Sequence, residues 1–159
     1  MKLRKIKTII SGGQTGADRA ALDFALENKI EIGGFVPKNR RAEDGRLSPH
    51  YPNLTETASR NYAERTALNV QNSDATLIVS HGRLSGGSQL TKKYAEKHQK
   101  PFRHVDFLAS TIEEAAEKAR KWLASVNCQR LNIAGPRAST DAEIYEKTKE
   151  FLVELFAVN

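Results

Sequence analysis

The sequence predicts one Rossmann-like, three-layer α/β domain with a five-stranded, mainly parallel sheet in the order 2-1-3-4-5. Short β-branched runs alternate with longer stretches of helical period, which is the pattern of βαβ units. The apolar run ATLIVS at residues 75–80 is typical of a strand that is covered on both faces. A length of 159 residues fits a single domain, residues 1–159, with one core.

Five strands and five helices follow from these patterns. The predicted strands are Lys7 to Ser11, Ile32 to Val36, Ala75 to Ser80, Phe102 to Phe107 and Arg130 to Ala134. The first helix begins at Ala17, where small apolar residues recur at the spacing of one buried stripe. The fourth and fifth helices are expected to begin at Thr111 and Thr140, because a glutamate three residues later completes a capping box in both places.

Composition narrows the possible partners. Lysine and arginine outnumber aspartate and glutamate by 25 to 19, and the resulting charge of +6 favours anionic ligands. The basic residues form no stripe interleaved with aromatics, so nucleic acid is not the expected partner. A single cysteine excludes an internal disulfide and favours a reducing compartment. Because no apolar run approaches the roughly 20 residues that span a bilayer, we expect a cytoplasmic protein without membrane contact.

A long segment without periodicity separates the second strand from the second helix. Residues 37–58 contain prolines, a glycine and several basic side chains. Segments this long in a compact domain are usually binding loops, lids or disordered. The C-terminal ends of parallel strands meet at one edge of a sheet, so this segment should emerge beside the turns described next. We expect a basic lid formed by Lys38, Arg40 and Arg41.

A glycine-rich turn, SGGQTGAD at residues 11–18, joins the first strand to the first helix. Glycines let a ligand approach the backbone, and the free N–H groups at a helix N-terminus attract phosphate. A P-loop is excluded because Ala17 and Asp18 stand where it needs lysine and serine or threonine. The dinucleotide fingerprint is excluded because Ser11 stands where it needs glycine.

A second turn of the same kind, HGRLSGGSQLT at residues 81–91, follows the third strand. In the order 2-1-3-4-5 the first and third strands are neighbours, so both turns should face one crevice. The predicted phosphate-binding and ligand-binding residues are Gly12, Gly13, Gln14, Thr15, Gly16, Asp18, Arg19, Ser85, Gly86, Gly87, Ser88 and Thr91. A third turn at residues 134–139 ends at the same edge but farther away, and we interpret it as a helix start or an oligomer contact.

Two side chains have alternative interpretations. Asp18 either contacts the ligand or complements the dipole of the first helix. His81, at the mouth of the third strand, is the one histidine with a candidate functional role. The four histidines lack metal-ligand spacing and Cys128 has no cysteine partner, so no protein-ligated metal is predicted.

Four linked blocks resemble a known family, the putative molybdenum carrier family. They are ISGGQTGADRAALDFAL, GGFVPKNRRAEDG, LSPHYPNLTETASRNYAERTALNVQNSDATLIVSHG and SGGSQLT, and together they cover nearly the whole chain. That family belongs to a Rossmann-like superfamily with the lysine-decarboxylase-like phosphoribohydrolases and the DprA/Smf proteins. The resemblance implies binding of the molybdenum cofactor (molybdopterin), a phosphorylated pterin, or of a nucleotide, by a homo-oligomer.

The resemblance also bears on catalysis. The phosphoribohydrolases use Pro-Gly-Gly-x-Gly-Thr-x-x-Glu, and placing Gly86 and Gly87 on its glycine pair puts Lys93 at the catalytic glutamate. A lysine cannot stabilise an oxocarbenium ion, so a binding or carrier protein without catalytic residues is the leading hypothesis. The alternatives are an enzyme that acts on a nucleotide or nucleotide sugar, with Asp18 or His81 as acid or base, and a DNA-linked module.

Overall fold

The structure, a computed structural model, describes residues 5–157. Its strands are β1 (Thr8–Ile10), β2 (Glu31–Gly33), β3 (Phe35–Val36), β4 (Arg41–Ala42), β5 (Gly45–Arg46), β6 (Thr55–Glu56), β7 (Ala75–Ser80), β8 (Phe102–Asp106) and β9 (Arg130–Ala134). Its helices are α1 (Ala17–Glu27), α2 (Tyr62–Gln71), α3 (Gly86–Lys97), α4 (Ile112–Ser125) and α5 (Ile144–Leu155).

Five of these strands form one fully parallel sheet, in the order β2-β1-β9-β7-β8. Helix α5 packs between α1 and α4, while α2 packs on α3, which gives three layers. All six residues of β7 are buried, as expected of a strand covered on both faces. The Rossmann-like fold class is therefore confirmed.

The predicted strand order 2-1-3-4-5 is wrong, because the last strand lies in the middle of the sheet. Ile9 of β1 pairs with Leu131 of β9, and Leu77 of β7 pairs with Ile133 of β9. The three central residues of β9 are buried, whereas four of the five residues of β8 are only partly buried. The more apolar strand therefore takes the central position, and β8 takes the edge.

The sheet is doubly wound, but its strands follow one another along the chain from a different starting strand. Counting from β9 and continuing through β1, β2, β7 and β8 gives 3-2-1-4-5, the usual Rossmann order. In such sheets the ligand crevice lies at the C-terminal edge, where the strand order reverses. Here that point lies between β9 and β7, so the turn after β9 is central rather than remote.

The helix starts agree with the sequence patterns in one case and differ in another. Thr111 caps α4, because its Oγ1 accepts a hydrogen bond from the Glu114 N–H at 3.2 Å. Helix α5 begins only at Ile144, so the predicted capping box at Thr140 is wrong. Asp141 lies just before the helix instead, and its carboxylate accepts a hydrogen bond from the Glu143 N–H at 3.0 Å.

The long segment 37–58 has structure of its own. Strands β3 and β6 pair in parallel, and β4 and β5 form a short antiparallel hairpin. The Arg40 guanidinium donates to the carbonyls of Leu47 at 3.0 Å, Ser48 at 2.7 Å and Tyr51 at 3.0 Å. These bonds hold the two halves of the segment together.

Candidate functional site

A cavity of about 350 Å³ opens at the C-terminal edge of the sheet. Its walls come from the first turn, the start of α2, the start of α3 and the turn after β9. The lining residues are Gln14, Asp18, Tyr62, Ala63, Arg65, Thr66, Ser85, Gly86, Gly87, Ser88, Leu90, Thr91, Ala134, Gly135, Pro136, Arg137, Ser139 and Thr140. The volume is at the lower end of the roughly 300–1,000 Å³ of small-molecule sites.

The two predicted glycine turns contribute differently to this cavity. The residues that line it from the predicted set are Gln14, Asp18, Ser85, Gly86, Gly87, Ser88 and Thr91. The predicted residues that lie outside its lining are Gly12, Gly13, Thr15, Gly16 and Arg19. The second turn thus lines the cavity with five of its predicted residues, and the first turn with two.

The backbone of the first turn is occupied by the protein itself. The Gly13 N–H donates to Ser11 Oγ at 3.3 Å, and the Gln14 N–H donates to Asp18 Oδ2 at 3.3 Å. The Ala17 N–H, in the first turn of α1, donates to the Pro136 carbonyl at 3.1 Å. These donors are therefore unavailable to a phosphate.

Glycine is required in the first turn by packing. A Cβ on Gly16 would lie 2.4 Å from the Pro136 carbonyl oxygen, and one on Gly13 would lie 2.9 Å from Leu47 Cδ2. A Cβ on Gly12 would lie 2.5 Å from Nη1 of Arg65. The three glycines thus let neighbouring segments close over the turn.

Thr15 and Arg19 also serve to join segments. The Thr15 hydroxyl donates to the Glu43 carboxylate and accepts from the Ala138 N–H at 3.1 Å. Arg19 donates to both carboxylate oxygens of Asp44, at 2.9 and 3.1 Å. Both side chains therefore hold the segment 37–58 against the site.

The second turn has free donors. Within residues 5–157, the N–H groups of Gly86 and Gly87 donate no hydrogen bond. A Cβ on either glycine would find no atom within 4 Å. The Ser85 side chain makes no capping bond. The N-terminus of α3 therefore opens into the cavity with unpaired donors, the arrangement that favours an anion.

Two side chains add donors that lack partners. Gln14 is 5% exposed, and its Oε1 accepts from the N–H groups of Thr15 at 3.0 Å and Glu43 at 2.8 Å. These bonds orient the amide, so that its buried Nε2 is a donor with no partner among residues 5–157. The Nε of Arg65 is also buried and has no hydrogen-bond partner among residues 5–157. A buried donor left unpaired costs about 1–3 kcal/mol, so a ligand oxygen here would be stabilising.

Asp18 and Arg65 form a buried ion pair in the cavity wall. Asp18 Oδ2 lies 3.7 Å from Arg65 Nη1, and their side chains are 4% and 13% exposed. Burial raises the pKa of the Asp18 carboxyl, and Arg65 opposes that shift. Burial also lowers the pKa of Arg65. Asp18 is the one carboxylate among the residues that line this cavity.

The structure contains an arginine cluster around Tyr62 that the sequence did not predict. The guanidinium carbons of Arg41, Arg65 and Arg137 lie 4.7, 5.4 and 5.3 Å from the Tyr62 ring centroid. Arg65 follows Tyr62 by three residues, so both lie on one side of α2. That spacing was available in the sequence. The position of Arg137 was hidden by the wrong strand order.

A second cavity of about 580 Å³ adjoins the first, and Tyr62 and Arg137 line both. Of the predicted lid residues, Arg41 lines this second cavity and donates to the Arg60 carbonyl at 3.0 Å. The guanidinium of Arg40 binds carbonyls within its own segment, and Lys38 is exposed. Neither Lys38 nor Arg40 lines the two cavities.

A further cavity shares Ser85, Ser88, Pro136 and Thr140 with the first and contains a histidine–carboxylate pair. His81 Nδ1 lies 2.6 Å from Asp141 Oδ2. Lys93, at the position of the phosphoribohydrolase glutamate, is exposed on α3 and lines neither cavity. Among residues 5–157, no three histidine, cysteine or acidic side chains are grouped to hold a metal. No helix in this range has the length and apolar character needed to cross a membrane.

Comparisons with known proteins agree with this architecture. The model of the circularly permutated YpsA SLOG family matches residues 9–156. The crystal structure of a putative molybdenum carrier protein from Syntrophus aciditrophicus SB is similar, with a TM-score of 0.95 and 52% sequence identity over 96% of each chain. No curated protein matches. The resemblance to putative molybdenum carriers is confirmed, and the chain belongs to the circularly permutated YpsA SLOG family.

Proposed function

We propose that this protein binds and carries a phosphorylated, nucleotide-like small molecule in the first cavity. The observation that carries the proposal is a set of unpaired donors on residues that line one cavity. These are the N–H groups of Gly86 and Gly87, the Nε2 of Gln14 and the Nε of Arg65. A phosphate offers acceptor oxygens to all of them, and its charge suits a helix N-terminus beside a guanidinium.

The molybdenum cofactor is one candidate ligand, since a homologue is called a putative molybdenum carrier. The donor set fits its phosphate arm, which Gly86, Gly87, Gln14 and Arg65 would hold. The cofactor would bring its molybdenum as cargo on its own pterin. A nucleotide has the same phosphate chemistry, so both classes belong in the test.

Of the three predicted lid residues, only Arg41 has a role in the proposed binding site. Its guanidinium lies against Tyr62 at the junction of the two cavities, where it can contact an anion that extends out of the first. We assign Lys38 to the surface and Arg40 to the internal bonding of the segment. The proposal also includes a cytoplasmic, homo-oligomeric protein, and its mass in solution by light scattering tests the assembly.

The function is tested by melting temperature in the presence of pterin phosphates, nucleoside monophosphates and inorganic phosphate. A ligand at a hundredfold excess over its Kd stabilises the native state by about 2.7 kcal/mol, a melting shift of roughly 5–10 °C here. Gly87→Val should abolish the shift. Its side chain would enter the cavity, and the fold has room for the added Cβ.

Gly33→Ala is the matched control. Its added Cβ would lie 3.4 Å from Ile10 Cδ1, an ordinary contact outside the first cavity, so ligand binding should persist. Both variants must melt cooperatively without ligand. A ligand shift that survives Gly87→Val would move the binding site away from α3.

A second candidate function is an enzyme that acts on a nucleotide or nucleotide sugar. The favouring observation is the pair of His81 and Asp141, because a carboxylate on Nδ1 orients a histidine whose Nε2 can serve as a base. Incubating the same nucleotides with the protein and analysing them for free base or released phosphate separates the two. Turnover near the typical enzyme value of about 10 per second would replace the carrier function.

A further inference from the structure

The second cavity is strongly basic. Arg41, Arg46, Arg60 and Arg137 line it, and Glu43 is the one carboxylate among its lining residues. Guanidinium groups bind phosphate and carboxylate oxygens in pairs, which makes such a group of arginines suited to a multiply charged anion.

The one carboxylate is already engaged. Glu43 accepts from the Ser139 hydroxyl at 2.6 Å, from the Ser139 N–H at 3.1 Å and from the Thr15 hydroxyl. It also lies 3.9 Å from Arg137. Within the described part of the chain, no carboxylate pairs with Arg46 or Arg60. The four guanidinium groups and one carboxylate that line the cavity therefore leave it with an excess of positive charge.

The two cavities share lining residues at one aromatic ring. Tyr62 lines both, with Arg65 on its first-cavity side and Arg41 in the second cavity. Arg137 also lines both. Three guanidinium groups thus surround the ring at which the two cavities meet.

We infer that the ligand has two separated anionic groups, one at the start of α3 and one among Arg46 and Arg60. Its chemical class is a bisphosphorylated or diphosphate-extended nucleotide-like compound. This inference rests on the proposed function, because it takes the first anionic group to occupy the first cavity.

Isothermal titration with AMP, ADP and adenosine 3′,5′-bisphosphate tests the inference, because AMP has one phosphate and the other two have a second. One added charged hydrogen-bonding group should tighten binding by about tenfold to a hundredfold. At least one of the two larger probes should show this gain in the wild-type protein. In the double variant Arg46→Gln and Arg60→Gln the gain should vanish, while AMP binds as before.

The charge-matched control is Lys97→Gln with Lys118→Gln. Lys97 ends α3 far from its open start, and both lysines are exposed and outside the cavities. This control should keep the gain.

Two outcomes overturn the two-anion inference and leave the proposed function standing. In the first, AMP binds but neither larger probe binds more tightly. In the second, the tighter binding survives in the Arg46 and Arg60 variant. Failure of all three probes to bind the wild-type protein overturns both.

Discussion

Asp18 sets the balance of charge inside the first cavity. Its carboxylate is buried, and Arg65 at 3.7 Å offsets only part of the cost of burying it, because the pKa of Asp18 is raised. A raised pKa means that the folded protein holds the proton more tightly than the unfolded chain does. The ionised carboxylate therefore contributes a destabilisation that develops as pH rises through the folded pKa.

We predict that Asp18→Asn binds AMP several-fold more tightly than the wild-type protein. The amide keeps an acceptor for the Gln14 N–H and removes the negative charge that competes with a phosphate for Arg65. Because the charged form is the unfavourable one, the unfolding free energy at pH 7 should not fall. Titration calorimetry and urea unfolding measure the two effects.

The exposed substitution Glu117→Gln on α4 removes the same charge far from the cavity and should change neither quantity. Weaker AMP binding in Asp18→Asn would contradict the prediction, since it would mean that the Asp18 carboxylate accepts a hydrogen bond from the ligand.

At the scale of elements, the segment 37–58 acts as a docked strap rather than a free loop. Arg19 of α1 binds Asp44, and Ser139 of the turn after β9 binds Glu43. Farther along, Asp23 of α1 accepts from the hydroxyls of both Tyr51 and Tyr145. Burial, together with Asp23, raises the pKa of Tyr51 to about 12, so this phenol stays protonated at neutral pH. The strap is thus fixed to α1, α5 and the central turn.

Docking of the β4–β5 hairpin should weaken in acid. The hydrogen bond from Arg19 lowers the pKa of Asp44, and bonds from Ser139 and Thr15 lower the pKa of Glu43 although partial desolvation opposes them. Lowered values mean that these carboxylates stabilise the docked state above their ordinary pKa values of 3.8 and 4.5, and that this stability is lost as pH falls. We predict faster hydrogen exchange in residues 41–46 at pH 3.5 than at pH 6, after correction for intrinsic rates.

Strand β7 in the core serves as the control for hydrogen exchange in the hairpin. Strand β7 is completely buried and contains no carboxylate, so its protection should change little over the same pH range. Equal loss of protection in β7 and in the hairpin would indicate global unfolding instead of local release.

For the whole molecule, the position of β9 decides where the site lies. Its C-terminal turn brings Gly135, Pro136 and Arg137 into the cavity, and a Cβ on Gly135 would lie 2.7 Å from the Cβ of Ala17. The turn therefore packs tightly on α1 and supplies the carbonyl that satisfies the Ala17 N–H. The first glycine turn and the turn after β9 bond to each other, whereas the start of α3 stays open to the cavity.

Local patterns in the sequence predicted the elements well, and long-range neighbours poorly. The bounds of β7 and β9 were predicted as observed, because apolar β-branched runs end sharply at polar residues. The sequence also predicted that a glycine turn leads into the helix after β7, whereas ligand binding by this turn stays a prediction. The order of the strands was not predicted correctly. An apolar run indicates that a strand is internal, but it does not indicate which strands lie beside it. Arg65 reaches the site from α2, and Arg137 reaches it because β9 is central in the sheet. Their spacing along the chain therefore could not predict that they lie together.

We predict that a permuted chain beginning at Asn127, with the native ends joined by a flexible linker of about 10 residues, folds to the same structure. The two ends of the described chain flank the same helix, since Lys5 Nζ lies 3.3 Å from Asn127 Oδ1 and Arg120 donates to the Glu154 carbonyl at 2.7 Å. This permutant has the strands in the order 3-2-1-4-5 and keeps every contact of the sheet. Its melting temperature should lie within about 5 °C of the native value, and it should show the same ligand shift. A permutant opened inside β7, between Ile78 and Val79, should fail to fold because it divides a fully buried strand. A cooperative melt in that second chain, or its absence in the first, would mean that chain order contributes more to this fold than the packing of the sheet.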